Sequence, residues 1–541
     1  MKNYRLLMLT TLIISGCSMV YELIISAVSS YLVGDSTLHY SITIGLYMFA
    51  MGVGSYLSKY IKKDLFNWFT NIEIGVGVLG GLSSLLLFLA NLYLESYELV
   101  MYVEIILIGT LVGAEIPILT RIIEMDKKNL RLTLSNLFSF DYIGGLIGSV
   151  AFPLILMPKL GFFATAFMAG SFNLICATLI VFKYQDRIRG SRYYKLTTIL
   201  LLVLMLLGMF VSENIGNIIE QGLYRDNVIM SEQTTYQKIV VTRHKDDIRL
   251  YIDGNVQFSS MDEYRYHEAL VHVPMSVASG HSDILILGGG DGMAARELLK
   301  YPDTNITLID LDSEMTRICS EDKVISELNE HALSSDRVTI INMDAYEYLE
   351  KCDKKYDVVI VDLPDPNNEA LAKLYSNVFY RLCGQVLNPG GVINVQSTSP
   401  YYATKSFWCV TKTLESEGFT VAPYHLQVPA FGDWGFNLAV KSDNDYLVDE
   451  GASSEEEVMT VADSSENNVE PEYAPVQGKI DISRIKLDEN IETRFLSNEN
   501  IASLFIFGKD EKPADMNDIE INQLTKPVMI QYYNDAVRNW E

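Results

Sequence analysis

Leu285-Ile286-Leu287-Gly288-Gly289-Gly290-Asp291-Gly292 decides the fold of the second half of this chain. An apolar strand runs directly into four glycines broken by one aspartate, and a helical pattern, Met293 to Lys300, follows at once. Glycine lets the backbone turn tightly and approach a ligand closely, and the helix N-terminus turns its free N–H groups toward that ligand. The next apolar strand, Ile306-Thr307-Leu308-Ile309, ends in Asp310, placed to grip a pair of ribose hydroxyls. Strand, glycine loop, helix and strand-end acid predict an α/β unit for a nucleoside-bearing cofactor, with Gly288 and Gly290 lining it. Asp291 narrows the choice. A carboxylate there repels an amino-acid-bearing ligand such as S-adenosylmethionine and suits one that has lost its carboxylate and kept its ammonium.

Outward from the loop, strand and helix patterns alternate through residues 284–395, which predicts a mostly parallel sheet with helices on both faces. This Rossmann-like core, of the S-adenosylmethionine-methyltransferase type, is assigned to residues 276–442. Ahead of it, 216–275 reads as a small β domain, with Lys238–Thr242 and Ile248–Ile252 as strands and a turn at Asp253-Gly254-Asn255. Residues 443–478 are polar and acidic, as in Ser453-Ser454-Glu455-Glu456-Glu457, and read as a solvated insertion. Residues 479–541 form a closing segment that ends in a short helix near Tyr532-Tyr533.

Residues 1–215 read as a multi-pass α-helical membrane domain. Seven apolar stretches, at about 6–33, 40–60, 70–93, 98–123, 136–157, 161–183 and 196–212, approach the ~20 residues that cross a bilayer. The start, with Lys2, Arg5 and Ile14-Ser15-Gly16-Cys17, resembles a lipoprotein signal, but apolar sequence continues to Val33 and favours a first spanning helix. Glu22, Glu73, Glu104, Glu115 and Asp141 interrupt the helices. Glu73 and Glu104 are expected near the interface, Glu115 and Asp141 deeper within the bundle. Basic residues cluster at the N-terminus and at 59–63, 121–131 and 183–195, which places the N-terminus in the cytoplasm of a multi-pass cell-membrane protein. Seven crossings would then put the C-terminal part outside. A cofactor made in the cytoplasm argues for a cytoplasmic catalytic domain instead, and the two expectations conflict.

Before residue 215 there are 15 Lys and Arg against 13 Asp and Glu; with a whole-chain net charge of −26, the remainder carries −28. Such a field excludes nucleic acid as a partner and attracts small polyamine-like cations. The six cysteines lack paired spacing, so neither a disulfide framework nor a zinc site is expected. His267 and His272 head one helix without a third ligand, and no metal is expected there. Asp344-Ala345 follows the strand Val338–Asn342, where a carboxylate can accept from an adenine amino group. The run Asp357–Pro366 delivers Asp362 and Asp365 at a strand end, with Pro364 and Pro366 stiffening the turn.

These motifs resemble the polyamine aminopropyltransferases, the spermidine synthase family. The resemblance rests on Tyr236-Gln237, Asp253-Gly254 with Gln257, Asp262-Glu263-Tyr264-x-Tyr266-His267-Glu268, the Gly288–Gly292 loop, Asp310, Asp344 and Asp362-x-x-Asp365-Pro366. It covers roughly 224–440, and more weakly 490–541. The apolar front is similar to the membrane domain of some bacterial members, through Gly16 with Tyr21-Glu22, Glu115-x-Pro117 and Asp141-Tyr142-x-Gly144. Asn367-Asn368-Glu369 stands where members often continue with Gly-Pro, and Asp310 where Glu is common.

The resemblance implies aminopropyl transfer from decarboxylated S-adenosylmethionine, a co-substrate and not a resident cofactor, to putrescine, giving spermidine and methylthioadenosine. Gln237, Asp310, Asp344 and Ala345 would hold the thioadenosine. Asp291 would contact the aminopropyl ammonium or the diamine. Tyr266, His267 and Asp365 would bind the amine, and Asp362 would take its proton. The partners implied are a diamine or polyamine, the lipid bilayer and a second copy in a homodimer. A methyltransferase on the same fold and a membrane polyamine sensor or transporter are the alternatives.

Overall fold

The computed structural model describes residues 2–33, 36–94, 97–127, 129–441, 444, 446–448 and 479–540. The chain divides into two compact units, Met1–Val228 and Ile229–Glu541. Apart from the first residues of β1, the first is helical: α1 (Lys2–Val33), α2 (Ser36–Leu57), α3 (Leu65–Tyr93), α4 (Tyr97–Lys127), α5 (Leu130–Ala151), α6 (Met157–Lys183) and α7 (Ser191–Leu223). Six continuous helical stretches among the described residues are long and apolar enough to cross a membrane, one of them Leu130–Lys183 at 54 residues. At ~1.5 Å per residue that stretch would run about 80 Å, more than twice the thickness of bilayer hydrocarbon. It is bent instead, by a π-helical turn at Phe152–Leu156 and by Gly161 at φ 69°.

The neighbours of α1 reveal the outcome of that bend. Leu12 and Gly16 lie against Gly144 and Gly148 of α5, in parallel, whereas Tyr21 and Tyr31 meet Asn173 and Phe162 of α6, antiparallel. The 54-residue stretch is therefore two helices running in opposite directions. A Cβ on Gly144 or Gly148 would strike the α1 backbone, so small residues set this close approach. Helix α7 continues beyond residue 212 to Leu223, because polar residues there prolong a helix that apolarity alone does not mark. Glu73 and Glu104, expected near the interface, lie about two turns into α3 and α4 and are 0% and 5% exposed, so both turn toward neighbouring helices.

In the second unit β1 (Asn227–Gln233), β2 (Lys238–His244), β3 (Asp247–Ile252) and β4 (Asn255–Ser259) form a four-stranded sheet. The β3–β4 turn places Asp253 and Gly254 at φ 48° and 83°, the pair of positive values a two-residue hairpin turn requires. Helix α8 (Glu263–Met275) leads to the main sheet, and α9 (Met293–Leu298) follows its first strand. That sheet comprises β5 (Asp283–Gly288), β6 (Asn305–Asp310), β7 (Val338–Asn342), β8 (Tyr356–Asp362), β9 (Leu387–Gln396), β10 (Thr420–Val428) and β11 (Gly432–Val440), in the order β10-β11-β9-β8-β5-β6-β7. Strands β5 to β9 are parallel, and β11 pairs antiparallel with both β9 and β10. Ile284–Leu287 and Val358–Val361 are fully buried, as expected of strands covered on both faces.

From β5 the chain moves one way to β6 and β7, then returns to β8 on the other side. The carboxyl ends of β5 and β8 thus open a crevice at the topological switch point. Most of the acidic stretch 443–478 lies outside the described residues. After it, the chain is fastened to α8 by Glu268, whose carboxylate accepts the backbone N–H groups of Arg494, Phe495 and Leu496. The C-terminal helix spans Val528–Trp540.

Candidate active site

The glycine loop is tight because two acids press against it. Gly288 and Gly289 adopt φ 86° and 63°, and the Gly289 N–H donates to the Asp362 carbonyl at 3.0 Å. The Gly290 N–H donates to Asp310 Oδ2 at 3.1 Å, and a Cβ on Gly290 would lie 2.4 Å from that same oxygen. Asp310 Oδ1 accepts the Asp312 N–H at 2.8 Å. Burial pushes the Asp310 pKa up to about 6.

Gln237 reaches this edge from the β1–β2 turn. Its Nε2 donates to Asp312 Oδ2 at 3.0 Å, and the Thr234 hydroxyl donates to the same oxygen at 2.7 Å. Asp312 was not singled out from sequence, yet it ties Gln237 to the end of β6. Its signal was present: an acid two residues beyond Asp310, capping the next helix through the Glu314 N–H at 3.1 Å.

At the end of β8 the Tyr266 hydroxyl donates to Asp362 Oδ1 at 2.6 Å. Asp362 Oδ2 lies on the side of Gly289, 3.3 Å from where a Cβ would stand. Burial, then the negative charge of Asp291, push the Asp362 pKa up to about 6, while His267 and Tyr266 restrain it. His267 is 2% exposed and holds Glu263 Oε2 through Nδ1 at 2.8 Å. Burial opposes the charged imidazole, but the Glu263 carboxylate outweighs it, so the His267 pKa is raised. Arg296 clamps Glu263 from behind with two 2.9 Å hydrogen bonds. Asp291 Oδ1 accepts the Met293 N–H at 2.9 Å, the first free donor of α9. His272 turns elsewhere, to Tyr301 and Glu297. The two histidines of α8 thus serve separate carboxylates.

Asp365 has a different set of partners. Tyr533, from the C-terminal helix, donates its hydroxyl to Asp365 Oδ2 at 3.0 Å, and Gln396 Nε2 lies 3.4 Å from Oδ1. Gln396 also donates to the Tyr375 hydroxyl at 2.7 Å. Burial pushes the Asp365 pKa up to about 6. Tyr533, Tyr375 and Gln396 were missed from sequence; only the tyrosine pair of the closing segment hinted at the first. Asp344 and Ala345 stand at the far edge, after β7. Asp344 Oδ1 caps the helix Ala345–Lys351 and Oδ2 pairs with Lys373 at 2.7 Å, so its carboxylate is held by its own surroundings. Burial acts against ionisation here, but Lys373 prevails and the Asp344 pKa is lowered.

The site therefore unites Tyr266, His267, Asp291, Asp362 and the glycine loop around the ends of β5 and β8. Gln237 and Asp310 share the β6 edge, and Asp365 closes the opposite side. The arrangement can hold a nucleoside across β5 and β6 and surround a cationic chain with carboxylates.

Comparison with known proteins agrees with this chemistry. The spermine/spermidine synthase domain family matches residues 263–450. The polyamine aminopropyltransferase of Leptospira interrogans is 38% identical over 537 residues, 99% of this chain and 98% of that protein. Polyamine aminopropyltransferase 2 of Ralstonia nicotianae is 42% identical over 455 residues, 82% of this chain and 89% of that one. A crystal structure of spermidine synthase from Thermotoga maritima aligns with a TM-score of 0.41 at 24% identity, covering 52% of this chain and 85% of that one. The chain belongs to the polyamine aminopropyltransferase family. It is an enzyme of aminopropyl transfer.

Proposed function

We propose that this enzyme transfers the aminopropyl group of decarboxylated S-adenosylmethionine to putrescine, releasing spermidine and methylthioadenosine. The observation that carries the reading is the Tyr266–Asp362 hydrogen bond beside the glycine loop, with Asp291 close enough to raise the Asp362 pKa. The sulfonium of the donor is already a good leaving group. The acceptor is the obstacle, because an alkylammonium with a pKa near that of Lys, about 10, is almost wholly protonated at neutral pH. Asp362 takes a proton from the reacting nitrogen through Oδ2, while Tyr266 occupies Oδ1. The nitrogen attacks the methylene next to sulfur, the carbon–sulfur bond breaks, and its electron pair stays on sulfur. Asp365 and His267 hold the amine, and Asp291 the donor's ammonium. Gln237, Asp310, Asp344 and Ala345 flank the thioadenosine, Asp344 with Lys373 as its present partner. Holding both reactants in line supplies much of the remaining acceleration.

Helices α1–α7 anchor the enzyme in the cell membrane. The basic residues at 59–63, 121–131 and 183–195 support a cytoplasmic N-terminus, and seven crossings would then give an extracytoplasmic exit after Leu223. Supply of the donor supports a cytoplasmic catalytic unit instead, which is the placement proposed, and reporter fusions at residue 224 test it. Full-length protein given putrescine and the decarboxylated donor should release methylthioadenosine. A higher kcat/KM for cadaverine, agmatine or spermidine would overturn putrescine as acceptor. Tighter binding of S-adenosylmethionine than of its decarboxylated form would overturn the donor.

A further inference from the structure

Beyond Asp365 the chain does not return at once to the sheet. The Asn367 N–H donates to the Asp365 carbonyl at 2.8 Å, and Asn368 Oδ1 caps the short helix Glu369–Ala372 through the Leu371 N–H at 3.0 Å. A 3-10 turn, Lys373–Tyr375, follows. Its last residue is tied back to the end of β8: the Tyr375 hydroxyl lies 3.1 Å from the carbonyls of Leu363 and Pro364. Its first residue reaches the end of β7, where Lys373 Nζ donates to Asp344 Oδ2 at 2.7 Å. In the sheet β8 and β7 are separated by β5 and β6, about 14 Å at ~4.8 Å per strand. Residues 366–373 therefore span the crevice lined by the glycine loop and Asp310. Asp344 belongs to the same edge, because β6 and β7 are in register at Asp310 and Asn342 and the Met343 N–H donates to the Asp310 carbonyl at 3.1 Å.

Asp344 Oδ1 accepts the Tyr346 N–H at 2.8 Å, which leaves Oδ2 as the oxygen for a ligand's amino group. Lys373 already sits on Oδ2, with the two side chains 35% and 30% exposed. An ion pair this open to water adds little to stability, so its place matters more than its strength. A carboxylate oxygen accepts two hydrogen bonds, and Oδ2 can keep Lys373 while taking an amino group as well. The pair then presents an acceptor beside a donor. Adenine offers the complement, an amino donor with an acceptor ring nitrogen on either side, N1 and N7. We propose that Lys373 reads the adenine base of the donor, its ammonium donating to a ring nitrogen next to the amino group that Asp344 accepts. This deepens the reading of the donor given above and rests on it.

The test is calorimetric titration of full-length protein with methylthioadenosine and with its 1-deaza and 7-deaza analogues, in which a C–H replaces one ring nitrogen. For wild type, removing the nitrogen that Lys373 reads should weaken binding by about 10-fold or more, the worth of one charge-assisted hydrogen bond. In K373M methylthioadenosine itself should bind about 10-fold or more weakly, and that same analogue should no longer lag behind it. K373A serves in its place if K373M does not fold. A merely structural ion pair would weaken all three nucleosides alike in K373M, and that result would overturn the role of Lys373 while leaving the donor reading intact. Tighter binding of methylthioadenosine to K373M than to wild type would mean an ion pair that the base has to break, and would overturn it too. No binding of methylthioadenosine to wild type would overturn the donor reading, and this proposal with it.

Discussion

The Tyr266 hydroxyl donates a 2.6 Å hydrogen bond to Asp362 Oδ1, which leaves Oδ2 as the oxygen on the glycine-loop side. The phenol therefore orients the carboxylate and favours its ionised form. Asp362 has to be ionised to accept a proton, and its pKa stands near 6. Transfer should accordingly fall as pH drops through about 6. Tyr266→Phe removes an interaction that lowers this pKa, so the acid limb of the kcat/KM profile should move to higher pH. A limb that stays in place would show that another group controls it.

Asp362→Asn keeps the side-chain shape and removes the proton acceptor. Turnover should fall on the order of 10²–10⁴-fold, the usual range for a general base. Affinity for the donor should change little, because the residues proposed to flank the thioadenosine are Gln237, Asp310, Asp344 and Ala345. Calorimetric titration of the variant with the decarboxylated donor separates the two effects.

The elements that were legible in the sequence are those whose signal is local. The run Leu285–Gly292 became a strand, a loop with positive-φ glycines and a helix, because only glycine fits against the Asp362 carbonyl and the Asp310 carboxylate. Seven apolar stretches marked the helices α1–α7. What escaped was contact between distant segments. Nothing local to Tyr533 says that it meets Asp365, 168 residues earlier, or that Arg296 backs Glu263. The partner of Glu73, Asn173, is likewise 100 residues away. The split of residues 313–328 into two helices at Asp322, which caps the second, was likewise invisible to apolar periodicity.

Gly290→Ala probes the loop directly. The added Cβ would meet Asp310 Oδ2 at 2.4 Å, so either the loop or the acid must move from the nucleoside edge. Donor KM should rise at least about 10-fold, the equivalent of one lost charge-assisted contact. Circular dichroism should show the fold retained. A wild-type KM would mean that the loop does not approach the donor.

His425 predicts a pH-dependent stability. Its Nδ1 faces Asp433 Oδ1 at 2.8 Å and its Nε2 faces the Ile506 carbonyl at 2.9 Å, both acceptors, so both nitrogens carry hydrogen. Burial disfavours the charged ring, but Asp433 and the carbonyl outweigh it, and the folded pKa is raised. A raised pKa stabilises the fold fully below the ordinary His value of ~6.5, and that contribution is lost as pH climbs through the folded value. Between about pH 6 and pH 9 the Tm of wild type should fall more steeply than that of His425→Gln. Parallel curves would remove His425 as the source.

Asp365 and Tyr533 should act on the amine and not on the chemical step. Asp365 is three residues beyond Asp362, the proposed proton acceptor, and its carboxylate is fixed by Tyr533 at 3.0 Å and Gln396 at 3.4 Å. Asp365→Asn loses a charge-assisted contact to an ammonium and should raise the amine KM by about 10–100-fold. Tyr533→Phe leaves the charge in place but frees the carboxylate to rotate, so it should raise the same KM by less. Both variants should keep kcat within a few-fold of wild type at saturating amine, in contrast to Asp362→Asn. A collapse of kcat in Asp365→Asn with normal amine KM would reverse the assignment of the two acids.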